Sequence, residues 1–434
     1  MRDSSETRLA PLAQALRTGE LNLRAYLASL EAYFGSENDR IEAFLPEAGR
    51  FDRLKREATE LERRYPSEET RPALYGVPVG VKDIFHVAGL PTKAGSQLPE
   101  DRLAGSQAES VTRLKRAGAL VLGKTVTTEF AYFAPGPTRN PHNPKHTPGG
   151  SSSGSAAAVS AGLCPLALGT QTVGSVIRPA AFCGAVGFKP TSGRISTKGV
   201  IPLSVTLDHI GLFTLDIAGA AAAAAVLCQT WSSRPVQSER PILGVPEGSY
   251  LEKASAEALG HFLATRTKLE RAGFEVRAVE AMPNFDEIVS WHMDLTAAEA
   301  SDFHREWFNE FGDRYHPKTK ALIERGHQVA PAQVRAYRAG REQLRRDLET
   351  LMDDRSISVW ISPAAVGAAP AGLDSTGDPV MNLPWTYAGL PAINLPSGLA
   401  ENGLPLGLQL VAGWNQDEKL LAWAGQIAET LAVA

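Results

Sequence analysis

The sequence predicts an α/β protein, and three observations lead there. Strand-like segments alternate with segments of helical periodicity along most of the chain, the pattern of a sheet covered by helices. The 434 residues hold enough material for a large core, and no internal repeat or low-complexity linker divides them, so one domain spanning 1–434 is expected. Hydrophobic residues make up 43% and charged residues 21%, a balance ordinary for a soluble globular chain.

The first 65 residues read as helices. Leu9, Leu12 and Leu16 recur at helical spacing, as do Leu23, Leu27, Leu30 and Phe34, which marks buried helix faces. The mixed charges of RFDRLKREATELERR (50–64) suit a solvated helix face. Pro66 to Pro72 break this run. Within LYGVPVGVKDIFHV (74–87), Val77, Val79 and Val81 alternate as in a strand. A helix over 109–117, a buried strand and turn at ALVLGKT (119–125) and a Pro/Asn-rich loop over 132–148 follow. Alanine, the strongest helix former, predicts a helix over 156–163, and another is expected over 216–228. Residues 229–356 read as helix-rich, with strand candidates ILGVP (242–246) and FEVRAV (274–279). Strands return at SVWISP (358–363), PAINLP (391–396) and GLPLGLQLVA (403–412), before a last helix over 416–432. The domain thus divides into a helical region 1–65, a core 66–228, a variable helical region 229–356 and a C-terminal return to the sheet, 357–434.

Bulk properties narrow the partners. The net charge is −4 with both signs interspersed, so there is no basic footprint for nucleic acid. The longest apolar stretch, around Ala218 to Cys228, is too short to span a membrane. The first residues, MRDSSETRLAPL, contain no apolar signal core. Three cysteines, Cys164, Cys183 and Cys228, make no disulfide framework and fit a reducing compartment. A cytoplasmic protein without a membrane partner is expected, with a homodimer as the default assembly. No H-E-x-x-H or paired Cys/His spacing points to a metal, and no cofactor is expected.

The chemistry concentrates between Gly149 and Pro190. Seven consecutive Gly/Ser residues, Gly149 to Ser155, precede an alanine-rich run, and a small-residue loop from Gly169 to Ser175 follows. Two serine-bearing loops this close can supply a nucleophile, a proton relay and convergent backbone N–H groups, the requirements of acyl transfer. Two motifs compete. Gly118 to Thr125 satisfies the letter of the P-loop pattern, but strand-like residues Ala119 to Leu122 fill the positions that a phosphate-binding loop needs. Gly150-Ser151-Ser152-Ser153-Gly154 matches G-x-S-x-G, yet a proline-rich loop precedes it where a nucleophile elbow needs a strand. His142 and His146 flank that loop and read as loop hydrogen-bonders. Lys82 stands in an otherwise apolar strand. Alone it would be a snorkelling lysine; beside two serine loops it is a candidate base.

Taken together, GVPVGVKD, LGKTVTTEFA (122–131), the NPHNP loop, the near-continuous stretch Gly149–Thr191, TLDHIGLF (206–213) and the C-terminal STGDPVMNLPWTYAGLPAINLP and GLPLGLQLVAG resemble the amidase signature family. The resemblance implies that family's fold, a large mixed sheet covered by helices on both faces with the serine loops at strand ends. It also implies a Ser–cis-Ser–Lys triad, carried by motif onto nucleophile Ser175, bridging Ser151 and base Lys82, with the N–H groups of Thr172, Val173, Gly174 and Ser175 as oxyanion hole. An apolar site lowers a lysine pKa and frees a neutral amine to take a proton, which agrees with that assignment.

Three departures bear on specificity. Gln171 stands where the family usually has aspartate, and Val173 where it has glycine. A β-branched residue disfavours positive φ, so the loop must be one that valine tolerates. Arg178 lies three residues past Ser175, in a GSVIRPA form that resembles malonamidase-type members. In that type the arginine is associated with a substrate carboxylate, which a planar guanidinium suits; the alternative is a structural arginine paired with a core acid. Gln171, Tyr132 and Phe133 are further candidate substrate contacts, and the two aromatics read equally well as core. Asp208 is expected to orient loops near the serines. Trp291, Met293, Phe303, Trp307 and Phe308 read as helix packing in the region that would shape specificity.

The expected activity is hydrolysis of a small amide, half-amide, aryl amide, urea or carbamate. The alternative is the A subunit of a glutamyl-tRNA(Gln) amidotransferase complex, which carries the same signature; nucleotide binding through the P-loop pattern is the third reading.

Overall fold

The structure, a computed structural model, describes residues 4–232 and 239–432. Its strands are β1 (Pro78–Lys82), β2 (Leu120–Thr125), β3 (Leu166–Gln171), β4 (Val186–Lys189), β5 (His209–Thr214), β6 (Leu243–Glu247), β7 (Val276–Glu280), β8 (Val359–Pro363), β9 (Ala392–Leu399) and β10 (Pro405–Val411). They make one sheet in the order β2-β1-β3-β5-β4-β9-β10-β8-β6-β7. The pairs β1/β2, β1/β3, β6/β7 and β6/β8 are parallel. Those from β3 across β5, β4, β9 and β10 to β8 are antiparallel, so the sheet is mixed.

Four helices precede it: α1 (Ser4–Thr7), α2 (Leu9–Arg17), α3 (Leu23–Ile41) and α4 (Arg50–Arg64). The leucines that repeat at helical spacing are buried along α2 and α3. Then come α5 (Glu109–Arg116), α6 (Ser153–Ser160), α7 (Ile177–Cys183), α8 (Ile217–Leu227), α9 (Ala256–Arg271), α10 (Phe285–Phe311), α11 (Pro317–Gly326), α12 (Pro331–Asp354), α13 (Leu383–Tyr387) and α14 (Asp417–Ala432). Helices α6 and α7 pack together on one face of the sheet, while α8, α14 and α9 cover the other. A second apolar cluster sits on the side of α7, where Ile177, Phe182, Tyr250, Phe285, Trp360 and Trp385 meet.

Three strands go beyond the sequence reading: β3, β4 and β5. The Gly169–Gln171 part of the supposed second loop is the end of β3. All residues of these strands are buried, and a strand covered on both faces loses the polar alternation that marks a half-exposed one. The strand read over 74–87 is shorter than its pattern. After Lys82 the N–H groups of Ile84 and Phe85 turn back onto the Lys82 carbonyl, at 2.8 and 3.0 Å. That turn makes Lys82 the last residue of β1. Helix α6 begins inside the Gly/Ser run, and Gly154 explains one of its glycines: a Cβ there would lie 2.2 Å from the Ala43 carbonyl oxygen and 2.4 Å from the Val126 nitrogen.

Candidate active site

Parallel strands β1 and β3 place their C-terminal ends side by side, Val81 opposite Leu168. Lys82 and Thr170 follow there, and β3 is the strand at which the sheet switches from parallel to antiparallel pairing. Ends of this kind are where open α/β sheets hold ligands. Lys82 is fully buried. Its Nζ donates to Ser151 Oγ at 2.8 Å and to Thr170 Oγ1 at 2.7 Å. Burial pushes its pKa down to about 7, and the Asp208 carboxylate opposes that shift. The Gly150–Ser151 peptide is cis.

The other serines of the run have separate tasks. Ser152 Oγ donates to the Thr170 carbonyl and accepts from the Thr170 N–H. Ser153 Oγ donates to the Gly149 carbonyl, and Ser155 Oγ to the Leu168 carbonyl. Ser152, the elbow-pattern choice, is thus tied into β3, and Ser151 alone of these hydroxyls meets the lysine.

Ser175 stands two residues before α7 and is 7% exposed. Among the described residues no hydrogen bond joins it to Ser151. Within the described residues the N–H groups of Val173, Gly174 and Ser175 donate to no protein acceptor. Thr172 Oγ1 donates to Asp208 Oδ1 at 2.5 Å, and burial pushes Asp208 up to about 6. Asp208 therefore links the Thr172–Ser175 loop to the field around Lys82, close to the orienting role its motif suggests.

Gln171 is buried and engaged in hydrogen bonds. Its Oε1 accepts from the Val176 and Ile177 N–H groups at 2.8 and 3.0 Å, and its Nε2 donates to Thr386 Oγ1 at 2.8 Å. Thr386 in turn donates to the Val173 carbonyl at 2.7 Å. The amide does what an aspartate could do for the N–H groups and adds a donor toward α13. Gln171→Ala should leave two buried N–H groups without acceptors and lower stability by about 1–3 kcal/mol, measured as a reduced midpoint in urea with unchanged m. Val173 has no positive φ, so the loop takes the form a β-branched residue tolerates.

Arg178 forms no ion pair among the described residues. Its Nη2 donates to the Gly150 carbonyl at 2.7 Å and to Thr376 Oγ1 at 3.3 Å, while its Nε and Nη1 are buried without a partner. Burial pushes it down to about 10, with Asp378 acting in the opposite sense. In place of the alternative pairing with a core acid, Arg178 holds the carbonyl that precedes Ser151.

A cavity of about 390 Å³ opens beside the serine loops. Its wall from Thr376 to Val380 reaches both of them: Thr376 packs on Gly150, and Pro379 with Asn382 packs on Gly174. Phe133, Val289, Met293, Val380 and Leu383 supply apolar walls, with Lys318 and Asp378 at the rim. Phe133 thus lines the cavity, whereas Tyr132 packs against Phe133 at a tilt of 47°, ring centroids 4.5 Å apart, without lining the cavity. Met293 also lines it, while Trp291 packs against Tyr337. Sequence reasoning missed Thr170, Thr376, Asn382 and Thr386. The last three fall in the quoted C-terminal motif, which carried the signal without naming the residues.

The P-loop reading fails on geometry. The loop positions lie in β2, and Lys124 Nζ is 2.6 Å from Asp83 Oδ1 with both side chains buried. His142 and His146 bond the Cys183 and Ala369 carbonyls. Among the described residues no helix is long and apolar enough to cross a membrane, and no group of three His, Cys, Asp or Glu side chains could hold a metal.

Comparison with known proteins gives the family. The A subunit of the glutamyl-tRNA(Gln) amidotransferase from Synechococcus sp. (strain CC9311) is 30% identical over 475 residues, covering 97% of this chain and 96% of that protein. Its counterpart from Synechococcus sp. (strain WH7803) is 31% identical, with the same coverage. These relatives carry the name of the alternative expectation. A solved amidase superposes with a TM-score of 0.88 at 30% identity, covering 97% of this chain and 99% of that one. The peptide amidase PAM, bound to the competitive inhibitor chymostatin, gives 0.84 at 26%, covering 98% and 97%. The family model described as Amidase matches residues 23–421. A match that runs from the first residue of α3 into α14, rather than stopping at the serine loops, makes this chain a member of the amidase signature family.

Proposed function

We propose that the chain hydrolyses the C–N bond of a small carboxamide with an apolar acyl group, through an acyl-enzyme on Ser175. Family membership makes it an enzyme of amide-type C–N bonds; the residue roles and the substrate are our reading. The observation that carries it is the buried 2.8 Å contact between Lys82 Nζ and Ser151 Oγ. An amine held near pKa 7 by burial is about half neutral at pH 7, and its neutral form accepts a proton. Ser151 passes its proton to Lys82 and takes that of Ser175. Ser175 Oγ attacks the carbonyl carbon, and the N–H groups of Thr172 to Ser175 meet the developing oxyanion. Ser151 then protonates the departing amine as the C–N bond breaks and recovers its own proton from Lys82. Water, activated through the same relay, cleaves the ester and restores Ser175. Losing one oxyanion donor in such a site typically costs on the order of 100-fold or more.

The five apolar side chains of the cavity favour aliphatic or aryl amides over charged ones, because burying an unpaired charge there is costly. The test is rapid quenching during turnover of a panel of neutral amides, half-amides, esters and carbamates, followed by mass spectrometry. An acyl adduct on the peptide bearing Ser175, formed fastest with neutral apolar amides, is expected. An adduct on Ser151, or none, removes the assignment. Faster turnover of half-amides would instead turn the unpaired Nε and Nη1 of Arg178 toward a substrate carboxylate. The reading takes 1–434 as one catalytic unit, supported by a single sheet with strands from Pro78 to Val411.

A second reading makes the chain the A subunit of an amidotransferase, releasing ammonia from an amide for a partner chain. It is favoured by curated relatives at 30–31% identity over 97% of the chain. Size exclusion of the native protein from cell extract separates the two. A co-eluting partner supports the amidotransferase reading, and a monomer or homodimer with full amide turnover supports the free hydrolase.

A further inference from the structure

Glu299 belongs to α10, in the variable helical region, and its side chain is 2% exposed. A buried carboxylate needs partners, and this one has more than neutralisation requires. Arg338 donates through Nε and Nη2 at 2.9 and 2.7 Å. Three further donors come from one short turn: Ser204 Oγ at 2.5 Å, Thr206 N–H at 3.0 Å and Thr206 Oγ1 at 2.8 Å. The opposite side of the same turn is held by Asp208, whose Oδ2 accepts from the Leu203 and Ser204 N–H groups at 2.9 and 3.2 Å. Ser204 is thus bound twice, its hydroxyl by Glu299 and its N–H by Asp208. The other oxygen of Asp208 holds Thr172 Oγ1, at the start of the proposed oxyanion loop.

We propose that Glu299 is a positioning residue: by gripping the Ser204–Thr206 turn from α10, it fixes where the Asp208 carboxylate stands relative to Thr172 and Lys82. This inference rests on the Lys82–Ser151–Ser175 reading above. Contiguous hydrogen bonds run from Arg338 through Glu299, Ser204 and Asp208 to Thr172, and none of these groups lines the apolar cavity. Loosening the turn should therefore change the relay more than substrate binding. Glu299 and Arg338 share the lining of a surface cavity with Asp302, Arg305, His327 and Arg335. Asp208 is the charged group acting on Lys82, while the adjacent Asp83 is engaged by Lys124. Arg338 and Arg341 face Glu299 from α12. His292, also on α10, is beside the Thr172 backbone and is neutral, pushed down to about 3 by burial.

Glu299→Gln keeps the size of the side chain but cannot serve Arg338 and three turn donors at once. We expect kcat per active site, counted by burst titration, to fall roughly tenfold, as misplaced catalytic groups do, with KM for a neutral amide changed less than about twofold. The acidic limb of kcat/KM should move to lower pH, because a displaced Asp208 no longer holds the Lys82 proton. Thr206→Val removes one hydroxyl and keeps the charge pair; it should move both readouts the same way by less. A merely structural Glu299 would lower thermal stability and leave the titrated kcat and the acidic limb in place, and that result overturns the proposal. If Glu299→Gln does not fold, an unmoved limb in Thr206→Val overturns it equally. Ser175→Ala is assayed in parallel. Turnover by that variant brings down the triad reading and this inference together, while an inactive Ser175→Ala with unmoved limbs brings down this inference alone.

Discussion

Ser175→Ala should lower kcat on the best amide by at least about 10⁴-fold and abolish the acyl burst, as loss of a nucleophile does in related relay chemistry. The size follows from what remains. The variant keeps the cavity and the N–H groups of the Thr172–Ser175 loop, but it has no oxygen to carry the acyl group, so water must attack an unactivated amide directly. Stability should change by less than about 1 kcal/mol, because Ser175 Oγ makes no hydrogen bond among the described residues whose loss would leave a buried partner unpaired. KM should stay within a few-fold, since the cavity walls are untouched. Residues that act as one relay are strongly non-additive, so Ser175→Ala combined with Lys82→Met should be hardly worse than either alone. Turnover by Ser175→Ala within about tenfold of the parent would remove the covalent mechanism.

Lys82→Met should be inactive by a similar factor and, at pH 7, at least as stable as the parent. An unfolded lysine titrates near 10.4, whereas burial holds Lys82 near 7 in the folded chain. Between those values the unfolded chain binds a proton that the folded chain does not, so stability rises with pH across that window. Holding Lys82 in the fold at pH 7 thus costs on the order of 3–4 kcal/mol. Its bonds to Ser151 and Thr170 return about 1 kcal/mol each. The methionine, similar in length and uncharged, avoids the first and forgoes the second. Its advantage should shrink as pH rises and reverse at about pH 9, where the remaining cost of the proton bound by the unfolded lysine has fallen to the roughly 2 kcal/mol returned by the two bonds. Lys189, also pushed down to about 7, is common to both proteins and cancels in the difference. Chemical denaturation at several pH values reads the crossover, and an advantage independent of pH would mean that Lys82 does not titrate as burial dictates. The parent's kcat/KM should fall about tenfold per pH unit below the Lys82 pKa as the base becomes protonated.

Strands β1, β2 and β6 to β10 are legible in the sequence because each alternates or is bounded by a helix or a turn signal. Val77, Val79 and Val81 alternate into β1, and β6 to β10 each follow a helix or a turn signal. The three central neighbours β3, β5 and β4 are not legible. Leu166 to Gln171 is buried on both faces, so its Gly169-Thr170-Gln171 end carries neither alternation nor large apolar side chains and looks like a loop. The site divides in the same way. Lys82, Ser151 and Ser175 stand out because a family pattern spaces them, and their own chemistry agrees. Thr170 is hidden by the missed strand. Gln171 reads as a substrate contact because a side chain that caps α7 and one that lines a cavity look the same in one dimension. Glu299 is hidden because its partners, Ser204 and Thr206, lie more than ninety residues earlier.

The sheet order also sets when this protein can exist during synthesis. Strands β9 and β10, from the last tenth of the chain, lie in the middle of the sheet, joining β4 to β8. Until residues 392–411 have left the ribosome, β1–β5 and β6–β8 are two separate pieces, each with an open edge. The serine loops are then equally unsupported, since Thr386 and Asn382, which pack against Val173 and Gly174, emerge just ahead of those strands. A nascent chain that already carries Lys82, Ser151 and Ser175 is consequently not yet an enzyme, and its unpaired edges are what a chaperone would have to shield.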